Sequence, residues 1–231
     1  MAQNARKCML IPAGLILWAS LFGACTVVKI GEEDAGGGDQ YATWTKTGTG
    51  FNAVQYVEAI WDEQLIPDYD SSAVELTTAL AALRADRDAA TQEFGLIRDS
   101  GEPAAVFKVR GTAVVLTVDD SSRNGRFVLD LPPYDGTEDV QMQVGPVIRG
   151  TAIRDSMESI RFTDVGNQIQ FAALANELNA RMMRDSVEPL DMASIGGTEI
   201  QFLGTFRLAE SESIDDIVIT PVLITPLGAA N

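Results

Sequence analysis

The sequence predicts an α+β domain in which two helices precede an antiparallel sheet of five to six strands, curled into a small β-barrel with one further helix inserted between strands. Three observations predict this arrangement. Apolar residues recur at helical spacing in residues 51–95. From Ala104 the apolar period changes to two. A second helical period, over residues 168–184, separates these strands from two more. Closure into a barrel hides the edges of such a sheet.

The first predicted helix has a clear beginning and end. Asn52 followed by Gln55 has the spacing of a capping box, and Phe51 and Tyr56 are placed as a hydrophobic staple. The apolar residues that follow at helical spacing are Val54, Val57, Ile60 and Trp61. Pro67 is expected to end the helix, because proline lacks a backbone N–H.

The second predicted helix begins at Ser72, which stands three residues before Glu75. Its buried stripe is predicted to consist of Leu76, Leu80 and Leu83. Gly95 after Phe94 is a typical residue for a helix C-terminus. We therefore expect both helices to pack in the core.

The predicted strands cover residues 104–118, 126–130, 140–144, 199–208 and 217–223, the last closed by Pro226. The turn at 119–125 ends in Asn124-Gly125, a pair that readily adopts positive φ. This turn imitates the opening of a calcium loop, but Leu131 stands where such a loop requires a glutamate. We therefore expect a hairpin and no metal site.

The most specific pattern follows the strand at 140–144. Gly145-Pro146 ends the strand, and Gly150 is expected to have a positive φ or a close backbone contact. The helix that comes later, around residues 168–184, is predicted to bury Ile169, Ala172 or Ala173, Leu174 and Leu178. The whole block has the character of a structural corner.

Composition limits the function classes. The chain has 231 residues, of which 33 are acidic and 17 basic, so its net charge is −16. Such a surface repels phosphate backbones, and we expect no nucleic-acid binding. The absence of histidine removes the usual general base and the commonest metal ligand, and no cofactor is expected. The two cysteines, Cys8 and Cys25, provide no disulfide framework for a folded domain.

The N-terminus reads as a lipoprotein signal peptide over residues 1–24. Arg6 and Lys7 precede an apolar segment, residues 9–22, of the length typical of a secretory signal. Leu21-Phe-Gly-Ala-Cys25 resembles the bacterial lipoprotein cleavage motif, which makes Cys25 the predicted lipidation site. The alternative is a plain signal anchor with an incidental cysteine.

Residues 25–50 are predicted to form a flexible acidic tether, rich in glycine, ahead of a single domain at 51–231. As a coil of that length, the tether reaches about 25–30 Å. Removing residues 1–24 takes away two of the 17 basic residues and none of the 33 acidic ones, which leaves a net charge of −18. Thr26 after the cysteine, in place of aspartate, favours the outer membrane.

The order of these motifs resembles that of a known family. The motifs are the cysteine motif, residues 51–61, Val144-Gly-Pro-Val-Ile-Arg-Gly150 with its continuation to Asp155, and Asn167-Gln-Ile-Gln170. The chain resembles the uncharacterised predicted periplasmic lipoproteins that are often encoded beside sugar ABC transporter genes. The resemblance implies an OB-like barrel with added helices and an accessory role near sugar uptake. It carries over no catalytic residues.

Four arginines are the candidate contact residues for a ligand or partner in so acidic a chain: Arg149, Arg154, Arg161 and Arg123. Guanidinium groups bind carboxylates, phosphates and hydroxyls well. The alternative is that each pairs with a neighbouring carboxylate, such as Asp155, Glu158 or Asp164.

The sequence therefore predicts a lipoprotein anchored in the bilayer through Cys25, on the periplasmic face of a membrane of the bacterial envelope. Its expected role is that of a binding or accessory module whose partner is a sugar ABC transporter or its binding protein. We expect no enzymatic activity, since the carboxylates show no paired pattern and no serine lies in a nucleophile elbow. The alternatives are an envelope sugar-processing hydrolase and a structural envelope lipoprotein.

Overall fold

The computed structural model of the protein describes residues 50–98 and 104–229. The α-helices are α1 (Ala53–Ile60), α2 (Ile66–Ser72), α3 (Leu76–Ala85), α4 (Arg87–Phe94), α5 (Ala152–Ser156), α6 (Phe162–Val165) and α7 (Gln168–Met182). Two π-helical turns, Trp61–Leu65 and Met183–Val187, extend α1 and α7 at their C-terminal ends. A 3-10 turn occupies Ile214–Asp216.

The sheet contains seven strands in the described residues. They are β1 (Val74–Glu75), β2 (Gly95–Arg98), β3 (Ala104–Asp119), β4 (Arg126–Asp130), β5 (Val140–Gln143), β6 (Thr198–Ala209) and β7 (Val218–Ala229). Pairing runs from β3 through β4, β5, β7 and β6, and β6 pairs again with β3, so these five strands form a ring. The short strands β1 and β2 both pair with β3 outside this ring.

Strand β3 holds the ring together because it is long enough to pair on both sides. Its 16 residues pair antiparallel with β6 from Ala104 to Val114 and with β4 from Val114 to Asp119. A register shift between Val115 and Thr117 lies near the change of partner. Such bulges increase the local bend of a strand, which lets one strand serve two sides of a closed sheet.

The core lies between the ring and the helices. Phe107 and Phe206, from paired strands, stack with ring centroids 4.8 Å apart and are both fully buried. From α2, the buried Tyr69 hydroxyl forms a 2.7 Å hydrogen bond with Ser156 of α5. Burial raises the pKa of Tyr69. The inserted helix α7 contributes Leu174 and Leu178, which have no exposed surface.

Arg181 connects α7 with the first helix. Its guanidinium lies 3.0 Å from Glu58 and 3.5 Å from Asp62, and it also hydrogen-bonds Asp185 one turn further along its own helix. Asp185 first, and Glu58 after it, raise the pKa of Arg181. The guanidinium also lies 5.7 Å from the centre of the Trp61 ring. The contacts fix α1 against α7 at the surface of the core.

The start of the first helix is confirmed and its end is not. Asn52 caps α1 by accepting a 3.2 Å hydrogen bond from the Gln55 N–H, and the Phe51 and Tyr56 rings lie 5.6 Å apart. Pro67, however, does not end the helical segment, which continues to Ser72. The π turn makes Ile66 the first residue of a new helix, so Pro67 lies in a first turn, where proline is tolerated. Val54 is 51% exposed and does not belong to the buried stripe.

The second predicted helix is divided and begins later than expected, but its end at Phe94, followed by Gly95 as the C-cap, is confirmed. Ser72 closes α2 by donating a 2.6 Å hydrogen bond to the Asp68 carbonyl, and α3 begins only at Leu76. Asp86 then interrupts the helix, because its carboxylate caps the next helix by accepting from the Ala89 N–H at 3.0 Å. Gly95 has a negative φ and begins β2. The buried stripe Leu76, Leu80 and Leu83 is confirmed.

The five predicted strands lie where the sequence places them, but three details of the sheet differ. The count is seven because the sheet also includes β1, of two residues, and β2, of four residues, neither of which the sequence indicated as a strand. Two pairings are parallel, β1 with β3 and β5 with β7. Pro226 does not close β7: it stands opposite Ile200 at a register shift, where a residue without an N–H fits.

The predicted buried face of α7 is displaced. Ile169 is 83% exposed, and Ala172 and Ala173 are also exposed. The buried residues follow the spacing that starts at Phe171: Leu174, Ala175, Leu178, Asn179 and Met182. Ile169 lies five residues before Leu174, which rotates it off this face by more than a third of a turn.

Candidate functional site

The corner after β5 is held in place by one side chain. Gln143, the last residue of β5, accepts a 2.8 Å hydrogen bond from the Arg149 N–H through Oε1. Its Nε2 donates to the Arg149 carbonyl at 3.1 Å and to Oγ1 of Thr220 in β7 at 2.9 Å. Gln143 therefore fixes the Arg149 backbone on both sides and ties it to the sheet. The Arg149 side chain is exposed, and the backbone that carries it is fixed.

Gly150 continues this corner with φ +91°, which confirms the predicted positive φ. Its carbonyl accepts a 3.1 Å hydrogen bond from Asn179 of α7. An added Cβ would meet no atom of the described residues within 4 Å, so backbone conformation is what requires glycine here.

The close backbone contact in this region is made by another glycine. A Cβ on Gly145 would lie 2.0 Å from the backbone nitrogen of Gly125. The N–H groups of Val144 and Gly145 both donate to the Gly125 carbonyl, at 2.9 and 2.8 Å. The corner is thus pressed against the β3–β4 hairpin. Gly125 itself does not have the positive φ that the Asn-Gly pair predicts. Its backbone is instead positioned to pack against Gly145 and to accept these two hydrogen bonds.

The connection between β6 and β7 faces the corner and is equally well held. The Ala209 N–H donates to Oε2 of Glu212 at 2.6 Å, and the Glu212 N–H donates back to the Ala209 carbonyl at 3.0 Å. Arg87 of α4 donates to the carbonyls of both residues. Ser213 caps the 3-10 turn by accepting from the Asp215 N–H at 3.2 Å.

A cavity of about 360 Å³, which we name the Arg149 pocket, lies between the corner after β5 and the connection from β6 to β7. It is lined by Gln143, the corner residues 149–152, Arg207 and Leu208 at the end of β6, residues 211–213 and 216–217 of the connection, and Val218 and Thr220 of β7. Its floor is apolar, since Leu208 and Ile217 are each 4% exposed.

The charged side chains of the pocket are balanced in sign: Arg149, Arg207, Glu212 and Asp216. Arg207 and Glu212 lie 3.9 Å apart as an ion pair. Within the described residues, the exposed side chains of Arg149 and Asp216 form no ion pair with each other or with another residue. One cation and one anion of the pocket therefore remain open to a bound molecule.

The four candidate arginines have different environments. Arg154 is 8% exposed: its guanidinium lies 2.7 Å from Asp155, donates to the Phe171 carbonyl at 3.1 Å, and stacks 3.7 Å from the centre of the Phe171 ring. It joins α5 to α7 inside the fold and is not available to a partner at the surface. Arg123 and Arg161 are exposed, but neither lines the Arg149 pocket.

The segment that contains Arg154 is also held in place by an arginine that the sequence patterns did not single out. Arg98, at the end of β2, donates a 2.9 Å hydrogen bond to the Asp155 carbonyl and another to the Met157 carbonyl. Partial burial lowers the pKa of Arg98. Asp155 also accepts from the Thr151 hydroxyl at 2.5 Å. These bonds make α5 a rigid support for the pocket wall.

Gln143, Arg207 and Asp216 also escaped sequence reasoning. Gln143 lies far from Arg207 and Asp216 in the chain, and the pairing of β5 with β7 and of β6 with β7 brings their surroundings together. The alternation of Gln141 and Gln143 in β5 signals a polar strand face and nothing more specific. Cys25 and the predicted tether up to residue 49 lie outside the described residues.

The described part of the chain contains no group of three or more histidine, cysteine, aspartate and glutamate side chains that would hold a metal ion. Every buried side-chain nitrogen and oxygen there has a hydrogen-bond partner. None of the described helices has the length and apolar character needed to cross a membrane.

Comparison with known proteins gives a family and a fold. The model of a family described as predicted periplasmic lipoprotein (DUF2291) matches residues 15–225. The crystal structure of an OB-fold protein from Thermotoga maritima is similar, with a TM-score of 0.65 at 18% sequence identity, covering 77% of this chain and 99% of that one. No curated protein sequence matches the chain. The likeness confirms an OB-like α+β fold.

Proposed function

We propose that this chain, which belongs to the family of predicted periplasmic lipoproteins, is a membrane-anchored binding or accessory module that works beside a sugar ABC transporter. The observation that carries the proposal is the Arg149 pocket. It presents an exposed guanidinium, which has no ion-pair partner among the described residues, on a backbone that Gln143 holds by two hydrogen bonds. Such preorganisation lowers the entropic cost of binding.

The location supports a role at the membrane surface. Family membership places the chain in the periplasm of the cell envelope. We further propose that Cys25 carries the lipid and that the segment up to residue 50 is the tether, with a reach of about 25–30 Å as a coil. A domain held at that distance meets a transporter or its binding protein at high effective concentration, so a weak contact is sufficient.

The charge of the chain predicts the character of that contact. With a net charge of −16, the domain repels other acidic surfaces, and its exposed arginines are the points at which an acidic partner can approach. Exposed charge pairs govern the encounter rate and are screened over about 10 Å at 0.1 M salt. The association is therefore expected to be weak and salt-sensitive.

The experiment is recovery of the transporter with the affinity-tagged full chain from detergent-solubilised envelopes, with the permease and its binding protein each detected by its own antibody. Arg149→Glu is expected to reduce recovery, and so is added salt for the wild type. Arg123→Glu is the matched control, because Arg123 is equally an exposed arginine but lies outside the pocket. Arg154 is not used, since its replacement breaks a buried ion pair.

Melting temperatures measured on the same samples show whether each variant is folded. Equal recovery of the transporter with wild type and with a folded Arg149→Glu variant contradicts the proposal. So does the absence of both transporter components from the wild-type sample at low salt.

A further inference from the structure

We infer that the Arg149 pocket binds a small zwitterion of the α-amino acid class, with the ligand's carboxylate on Arg149 and its ammonium group on Asp216. The inference deepens the proposed function and rests on it in one respect, that this pocket is a binding surface. It begins from the two charges of opposite sign that the pocket leaves without a partner in the described residues.

The internal bonds of the pocket determine which groups are free. Glu212 is engaged twice, by the Ala209 N–H at 2.6 Å and by Arg207 at 3.9 Å. Gln143 uses both ends of its amide on Arg149 and Thr220. Among the charged lining residues, Arg149 and Asp216 alone form no hydrogen bond or ion pair through their side chains in the described part of the chain.

A complementary ligand therefore carries one acceptor group with negative charge and one donor group with positive charge. A carboxylate fits the planar fork of a guanidinium in a bidentate, charge-assisted arrangement. An ammonium group is the corresponding partner for a carboxylate. The α-amino acid backbone places both groups on one carbon. Gln143 fixes the backbone of Arg149, and Arg87 donates to the Glu212 carbonyl in the connection that carries Asp216.

The net charge of the chain also restricts the kind of small molecule that the pocket can bind. At −16 the protein's field opposes an anion of any shape. A lone cation would be attracted but would leave Arg149 without a partner. A zwitterion has no net charge to be repelled and satisfies both groups. A neutral polyol lacks the full charges, and no aromatic ring lines the described pocket for stacking.

Size and apolar lining agree with this class. The cavity of about 360 Å³ lies at the lower end of the range for small-molecule pockets, about 300–1,000 Å³. Its buried floor of Leu208 and Ile217, with Ala152 at the corner, offers apolar contact to a ligand side chain. The pocket thus has a polar rim for the ligand's backbone groups and an apolar floor for the rest.

The test is binding of the proteinogenic amino acids, in small pools, to the full chain in detergent, measured by ligand-observed NMR and then by calorimetry on each hit. At least one amino acid is expected to bind saturably. Its N-acetyl derivative and its methyl ester, each lacking one charge, are expected to bind about tenfold more weakly, the value of one charge-assisted hydrogen bond. Glucose serves as the neutral polyol probe.

Arg149→Gln and Asp216→Asn are each expected to weaken binding about tenfold, whereas Arg123→Gln leaves it unchanged. The inference is overturned when no amino acid binds saturably, when glucose binds in their place, or when the singly charged derivatives bind as well as the parent. If the amino acids fail while Arg149→Glu still reduces recovery of the transporter, the proposed function stands without this ligand. If amino acids bind while Arg149→Glu leaves recovery of the transporter unchanged, the ligand inference holds and the proposed partner is wrong.

Discussion

Replacing Gly145 with alanine adds a single methyl group where the corner after β5 meets the β3–β4 hairpin. The added Cβ would lie 2.0 Å from the Gly125 nitrogen, 2.6 Å from the Arg123 carbonyl oxygen and 2.8 Å from a backbone carbon of Asn124. All three contacts are with backbone, so no flexible side chain can move aside. The two chain segments must therefore separate.

Separation also removes the two hydrogen bonds that the Gly125 carbonyl accepts from the N–H groups of Val144 and Gly145. Overpacking costs about 1–3 kcal/mol and two backbone hydrogen bonds about 1 kcal/mol each, which gives a loss in the free energy of unfolding of about 3–5 kcal/mol. For a domain of this size, that corresponds to a decrease in melting temperature of about 6–20 °C.

Urea denaturation of the full chain measures this loss from the midpoint, provided that the slope is unchanged. Two further glycines calibrate it. An added Cβ on Gly196 would meet no atom of the described residues within 4 Å, and Gly196 has no positive φ, so Gly196→Ala is expected to change stability by less than about 0.5 kcal/mol. Gly150 has the same open space but φ +91°, and Gly150→Val is expected to cost about 1–3 kcal/mol through backbone strain alone. A Gly145→Ala variant as stable as Gly196→Ala refutes the reasoning.

Three other changes test separate parts of the molecule. Cys25→Ala is expected to prevent incorporation of labelled fatty acid and to leave an unprocessed precursor; labelling of the mutant excludes Cys25 as the lipidation site. Arg154→Gln leaves the buried Asp155 without its ion-pair partner, and denaturation should show a loss of about 3–5 kcal/mol, whereas a loss as small as that of an exposed arginine such as Arg161 speaks against a structural role. Tyr69→Phe removes one buried hydrogen bond to Ser156, whose hydroxyl still donates to the Ile153 carbonyl at 2.8 Å. We therefore expect a loss of about 1 kcal/mol in the free energy of unfolding. An increase in stability would show that this hydrogen bond does not stabilise the fold.

The sequence was sufficient where a local pattern decides the structure. The five predicted strands follow from their apolar patterns and the turn residues between them, and Asn52 caps α1 as its spacing predicts. It was insufficient where tertiary contacts decide. The helix that contains Pro67 continues because a π turn precedes it, and β7 passes through Pro226 because a register shift in its pairing with β6 accommodates it.

The candidate site shows the same division. Arg149 and Arg154 are five residues apart and have the same chemistry, and nothing local separates an exposed arginine from a buried one. The difference arises because Phe171 of α7 packs on Arg154, while Gln143 fixes the Arg149 backbone at the rim of the pocket. Asp216 becomes part of that pocket only through the connection between β6 and β7, so the sequence alone cannot pair it with Arg149.

Under the proposed function, the Arg149 pocket is the surface through which this lipoprotein binds its partner. The most direct measurement is photo-crosslinking in living cells with a photoreactive amino acid at position 211 of the full-length chain, an exposed serine that lines the pocket and leaves Arg149 in place. Position 123 serves as the matched exposed site outside the pocket. We expect a crosslinked product between position 211 and a component of the proposed sugar transporter, identified by mass spectrometry, and none from position 123. A product from position 123 with none from position 211, in a protein that is folded and membrane-bound, contradicts the proposal.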